Sequence, residues 1–382
     1  MKRPALVIGG FVLGGLVLLC ILVVAAGPLW HKLGVKPVCI QGDWPRLRLG
    51  VCPDPAAARP VVTPRPLPTH SSQAPIPVIV DDDGSPDGVI ALLYMLRHPH
   101  YDVQAVTVSC GEAHPDIFAR HLAHLLAVMG HSDIPVGAGR DAPLEGNNAF
   151  PDPWRRASDD FWGLDLPQAS HPAEPVPAAQ LIVHILSTST QPVLLLVTGN
   201  HTNLAEALRL QPDIADRILG VHVMGGSIHT PGNIETDWPD IHNRVAEWNI
   251  WVDPKAASEV LAAGLPVGIT PLDATNQVTW NRSDALAWAS SPLPEARLAA
   301  ELLEWMLDSW SVSGVFVWDL VAALDATDPD LCPEAWLALE VVTEPGPEQG
   351  RTAVTGGPPN AAVCLNPDAD QIRARAASIL GR

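Results

Sequence analysis

An apolar run, PVIV at 77–80, leads straight into Asp81, Asp82 and Asp83, and after Gly84, Ser85 and Pro86 the chain adds Asp87 and the apolar stretch GVIALLYML. Few folds can hold so many carboxylates at one strand-to-helix turn. Like charges this close raise one another's pKa unless a cation or strong donors offset them. The segment therefore predicts a buried strand whose carboxyl end opens into a site for a hard metal ion or a general base. A helix N-cap would explain one of these aspartates, not all of them.

From Ile76 onward short β-branched runs alternate with longer amphipathic ones, without an internal repeat. The strand candidates are 78–80, 103–108, 193–197, 218–224 and 267–270; the helix candidates are 87–97, 115–129, 178–187, 203–210, 254–263 and 293–310. That order predicts an α/β domain, a mostly parallel sheet covered by helices. Ligands in such sheets bind at the carboxyl ends of strands, which is where the aspartates fall. Residues 142–177, rich in Pro, Asp, Trp and Asn and without a clear period, read as one long loop, with 154–163 placed to close over a ligand.

Ahead of this domain, Ala5 to Trp30 is an apolar run without charge, preceded by Lys2 and Arg3. At about 1.5 Å per residue it can cross a hydrocarbon core of roughly 30 Å, and the leading charges favour a cytoplasmic N-terminus. The expectation is a membrane anchor over 1–30 with the rest of the chain outside the cytoplasm. A signal peptide cut after Ala26, giving a secreted protein, is the alternative. Residues 31–75 are proline-rich and read as a semi-rigid spacer, leaving 76–382 as the folded domain.

The net charge of −19, with Lys255 the only lysine beyond residue 36, argues against nucleic acid as a partner and for a small neutral molecule. The oligomeric state stays open, a homo-oligomer included. No Cys or His spacing suits zinc. In an oxidising compartment Cys39 with Cys52, and Cys332 with Cys364, are plausible disulfides that leave Cys110 buried and free; unpaired small hydrophobes are the other reading.

Three further segments carry chemistry. In LLLVTGNHTNLAEAL a buried strand ends at Val197 and meets Thr198, Gly199 and Asn200 before a helix. In the next, Met224, Gly225 and Gly226 end a strand, and a polar loop leads to Glu247 and Asn249, with Asp253 and Pro254 set to cap and open a helix. In SGVFVWDLVAAL, Asp319 is the only charge; burying it alone costs several kcal/mol unless it is paired or bound to metal, and a helix N-cap is the bland alternative.

Together these segments resemble the inosine/uridine-preferring nucleoside hydrolase family over about residues 76–382. The motifs run in the family's order: DxDxxxD after the first strand, VTGxxTNLA, MGG, AEWN, DP and a late WD. The resemblance implies a Rossmann-like fold that binds one Ca²⁺ and hydrolyses the N-glycosidic bond of ribonucleosides. By position, Asp83 would bind the metal and serve as base for the attacking water. The Thr198 carbonyl and Asp319 would be further ligands, and Asp87, Glu247 and Asn249 would bind the ribose hydroxyls. A further ribose-binding Asn sits in a GN step in family members; Gly232 and Asn233 match it, while Asn243 lies nearer to Glu247, so both stay in play. Oxygen ligands suit calcium.

Three positions depart from the pattern. Gly88 stands where the family has the second Asp of DxDPGxDD, a direct ligand, which leaves Asp82 or a water to substitute. Glu112 stands where a ribose-contacting Asn is common. Trp318 stands where many members have a His that protonates the base; tryptophan can stack on a ring but does not supply that proton. His114, His229 and His242 are candidate replacements by type alone. Two alternatives follow: a module that binds nucleoside or ribose without turnover, and, ranked lower, a haloacid-dehalogenase-type phosphatase, which also opens with a strand and DxD. The latter needs a later Lys and acidic pair, and no GDxxxD string follows Lys255.

Overall fold

The computed structural model describes residues 74–166 and 168–381. The apolar run 5–30, the spacer up to residue 73 and the pair Cys39 and Cys52 lie outside the described residues. Among those described, no helix is long and apolar enough to cross a membrane.

Nine strands form the main sheet: β1 (Ile76–Asp82), β2 (Tyr101–Val108), β3 (Val136–Ala138), β4 (Val176–Pro177), β5 (Val193–Val197), β6 (Ile218–Met224), β7 (Val267–Thr270), β8 (Glu334–Leu337) and β9 (Ala361–Cys364). Their spatial order is β8-β9-β7-β6-β5-β1-β2-β3-β4. Every pairing is parallel except β8 with β9. The chain steps outward from β1 to β4, then returns to the other flank of β1 and steps outward again through β5, β6 and β7. The crevice beyond the carboxyl ends of β1 and β5 is thus a topological switch point, the place where open α/β sheets bind ligands.

Strand β1 is buried along its whole length, as a central parallel strand covered on both faces must be. Its side chains alternate between two layers: Val78 and Val80 join one apolar core, Ile79 the other. Helix α1 (Pro86–Arg97) packs on the first layer with Pro115–Val128 and Pro294–Ser309; α2 (Thr202–Leu210) packs on the second with Ala178–Thr188 and Pro254–Ala262.

Residues 142–177 are not one long loop. They include the helix Asp152–Asp159, a 3₁₀ turn at Phe161–Gly163 and strand β4. Nor is 154–163 a loose lid: Phe161 and Trp162 are buried against Phe118, with ring centroids 6.1 and 5.8 Å away. Both have positive φ, 47° and 55°. That backbone region costs bulky residues about 1–3 kcal/mol, and burial of the two rings offsets it.

Candidate active site

The turn after β1 shows how the sequence aims its acids. Gly84 takes φ +91°, and a Cβ there would lie 2.3 Å from that of Ala113, so only glycine fits. The N-cap of α1 is Ser85, whose hydroxyl accepts from Gly88 N at 2.8 Å, and Pro86 follows at the first helical position. With the cap supplied by serine, the aspartates are left for other work.

Asp83 is buried, its side chain lodged between two glycines at the ends of β2 and β5. A Cβ on Gly111 would lie 2.2 Å from Asp83 Oδ2, and one on Gly199 would lie 2.6 Å from Asp83 Cβ. Its Oδ2 has no hydrogen-bond partner. Burial first, then the charges of Asp82, Glu112 and Asp87, push its carboxyl well above the usual range. Asp81 is a support: its Oδ1 accepts from Thr107 Oγ1 at 2.7 Å and from Asn203 Nδ2 at 2.8 Å. Burial raises its pKa to about 7.

Asp319 reaches the same turn from helix α3 (Trp318–Thr327), where the N-cap is Val317. The cap reading of Asp319 is therefore set aside. Its Oδ2 accepts from Ser85 Oγ at 2.9 Å, and its amide donates to Asp87 Oδ2 at 3.1 Å. Burial, then Asp87, Asp82 and Asp83, hold its carboxyl well above the usual value. Asp82 accepts from Gly84 N and from Thr198 Oγ1, both at 2.8 Å.

Across the crevice, Thr198 N donates to the Asp81 carbonyl at 2.8 Å, so the end of β5 is tied to the end of β1. The Thr198 carbonyl accepts from Asn249 Nδ2 at 3.0 Å, and the same amide reaches the Met224 carbonyl at 3.2 Å. Glu247 caps the short helix Trp248–Val252, its carboxylate accepting from the amides of Asn249, Ile250 and Gly226. Burial, against those bonds, brings its pKa to about 7. Trp248, between the two, sits among Phe150, Trp154 and Trp251 and donates to Asp237 at 3.1 Å.

The two asparagines differ in their partners. Asn243 is spent on the fold: its Nδ2 donates to the Gln349 carbonyl, and its Oδ1 accepts from Val245 N and Ala246 N. Asn233 keeps a buried Oδ1 without a partner, and the Gly232 before it packs so closely on Ala246 that a Cβ would lie 2.1 Å from the Ala246 carbonyl oxygen. The GN step thus adjoins the AEWN segment. Glu112, half-buried, is held well above its usual pKa by burial and then by Asp87, Asp82 and Asp237.

Trp318 packs beside Met224, Leu272 and Ala322, faces Phe316 and Trp310 at 5.8 and 6.3 Å, and donates its indole N–H to Asn276 at 2.9 Å. His229 and His242 are exposed, and His114 is engaged with Asp159 at 2.7 Å. Sequence reasoning missed Ser85, Gly111 and Asn203. A serine before a proline just ahead of a helix was the readable sign for the first; the others depend on contacts across the sheet.

The site's free donors are oxygens only, which suits a hard cation such as calcium. No three of its carboxylates have ligand atoms all within 4.8 Å of one another; among the described residues only Asp325, Cys332 and Cys364 meet that condition, and the two cysteines form a disulfide. The hollows of about 240 and 290 Å³, lined by residues such as Gln104, Ile134 and Gln191, lie by the amino ends of β1 and β2, away from the acids at the carboxyl ends.

A doubly wound sheet with buried carboxylates and a strand-end carbonyl at its switch point defines an α/β protein with an acidic small-molecule site. The chain belongs to the inosine-uridine preferring nucleoside hydrolase family, whose model matches residues 78–374. The pyrimidine-specific ribonucleoside hydrolase RihA of Citrobacter koseri is 32% identical over 308 residues, 77% of this chain and 94% of that protein. Its counterpart in Salmonella arizonae is 33% identical over 313 residues, with the same coverage. Among solved structures, the purine-preferring ribonucleoside hydrolase from Gardnerella vaginalis superposes with a TM-score of 0.70 at 22% identity, covering 80% of this chain and 99% of that one. The inosine-uridine preferring nucleoside hydrolase of Bacillus anthracis gives 0.65 at 23% identity, over 80% and 99%. The protein is thus a hydrolase acting on N-glycosidic bonds.

Proposed function

We propose that the chain hydrolyses the N-glycosidic bond of ribonucleosides by a calcium-activated water, releasing ribose and free base. The observation that carries this is Asp83, buried between Gly111 and Gly199 with an unpartnered oxygen at the switch point. Asp83, Asp319, Asp82 and the Thr198 carbonyl would hold the ion. Such an ion would acidify a water and fix the sugar's vicinal hydroxyls.

The remaining steps belong to the protein's own groups. Asp83 takes the proton of the attacking water. Asp87, Glu247, Asn249 and Asn233 orient the sugar, and the ring of carboxylates stabilises positive charge developing on the ribose. Trp318 offers a stacking face to the base. With its N–H donated to Asn276, it gives the leaving group no proton, so substrates whose leaving group departs as a stable anion are favoured.

Purified full-length protein with Ca²⁺ is expected to release base from at least one of inosine, adenosine, uridine and cytidine, and to cleave 4-nitrophenyl riboside. Asp83→Asn should lower kcat by about 10²–10⁴-fold. No product across that panel, with calcium shown to be bound, would remove the proposal. The same reading sets the hydrolase outside the cytoplasm behind a membrane anchor at 1–30; the Cys332–Cys364 disulfide supports an oxidising compartment.

A further inference from the structure

Gly88 lies in the first turn of α1, and the volume its side chain would fill is taken. A Cβ at this position would lie 1.7 Å from Asp82 Oδ2, 2.6 Å from Asp82 Cγ and 2.8 Å from Ser85 Oγ. The carboxylate of Asp82 therefore occupies the place into which residue 88 would project. It is 2% exposed and held at both ends, Oδ1 by Gly84 N and Oδ2 by Thr198 Oγ1. Residues 82 and 88 compete for one volume: a Cβ at 88 would require the Asp82 carboxylate, the far end of its side chain, to move.

We infer that Asp82 supplies the site's cation with the carboxylate that the first turn of α1, with glycine at 88, lacks. Resting on the metal-assisted reading above, the inference specifies that the ligand has been transposed from helix to strand. Three features favour it beyond the clustering of acids. Asp83 Oδ2 nearby is buried and without a hydrogen-bond partner, an oxygen left over for a ligand. The hydroxyl that steadies Asp82 belongs to Thr198, the residue whose carbonyl faces the same crevice. An Oδ2 that accepts one hydrogen bond keeps a second lone-pair direction for a cation.

The test is ion binding by the full-length protein, followed by calorimetry with Ca²⁺ and by tryptophan-sensitised Tb³⁺ emission. Asp82→Asn is expected to weaken Ca²⁺ at least tenfold while the protein stays folded by circular dichroism. Gly88→Asp alone should lower Tm, because two carboxylates compete for one volume. Asp82→Ser combined with Gly88→Asp should recover Tm and bring Ca²⁺ affinity back to within about threefold of wild type, comparable to the effects that supporting groups have on metal sites. Wild-type affinity in Asp82→Asn overturns the inference, as does a folded double variant as weak as Asp82→Asn, or a wild type that binds neither ion. Nucleoside turnover measured alongside separates the two claims. Base release by a wild type whose affinity ignores Asp82 leaves the hydrolase reading intact; Asp82-dependent ion binding with no turnover leaves the transposition intact.

Discussion

Two buried aspartates six positions apart on one helix show how context decides what a carboxylate does. Asp319 opens α3 within reach of Asp87, Asp82 and Asp83; Asp325, deeper in the same helix, accepts from Thr270 Oγ1 at 2.8 Å and lies against the Cys332–Cys364 disulfide. Burial chiefly, with Glu334 nearby, raises the Asp325 pKa from 3.8 to about 7. A folded-state pKa above the unfolded one means the native protein holds the extra proton between those values. The contribution to stability is therefore full below about pH 4 and is lost as pH rises through about 7. One such group contributes at most about 1.4 kcal/mol per pH unit across that window. Asp325→Asn, which keeps an acceptor for Thr270, should flatten the fall of Tm between pH 4 and pH 7; an unchanged slope would show that this carboxyl does not titrate there.

Among elements, the helix Pro254–Ala262 was legible in full from its DP start. Asp253 caps it, accepting from Ala256 N at 2.9 Å, and its other oxygen accepts from Thr202 Oγ1 at 2.6 Å and Leu144 N at 2.7 Å. One cap therefore ties three segments together, and Asp253→Ala should cost about 2–3 kcal/mol in urea unfolding, more than an isolated cap. Strands β5, β6 and β7 were equally readable, because a parallel strand buried on both faces reads as a near-continuous apolar run, interrupted here by Gly220 and His222 in β6 and by Gly268 and Thr270 in β7. The helix Asp152–Asp159 was not: only Ser158 of its residues is fully buried, and it is held by contacts such as Arg155 to Asp141 and to the Ala113 carbonyl rather than by an apolar stripe. β8 escaped too, being an antiparallel edge strand, EAWL, without β-branched residues. Within the site, the acids were legible from their cost and the family's motif order. What the sequence left open, the role of Asn243 and the filling of the space at Gly88, turned on partners over a hundred residues away or on the rotamer of one neighbour.

At the scale of the whole molecule, the Cys332–Cys364 disulfide closes a segment with a sequence separation of 32 that carries β8 and leads back into β9. Chain-entropy reasoning gives such a link about 3–4 kcal/mol. Reduction under native conditions should lower Tm accordingly, and alkylation trapping in intact cells should find the pair oxidised if the domain faces an oxidising compartment. The hydrogen bond from Ser85 to Asp319 joins residues 234 positions apart. A growing polypeptide holds the aspartates of β1 from early in its synthesis, yet nothing in that early stretch can act on a nucleoside. The acids acquire their geometry only when α3 has been made and has docked, so a chain cut short anywhere before it carries the charges without the site.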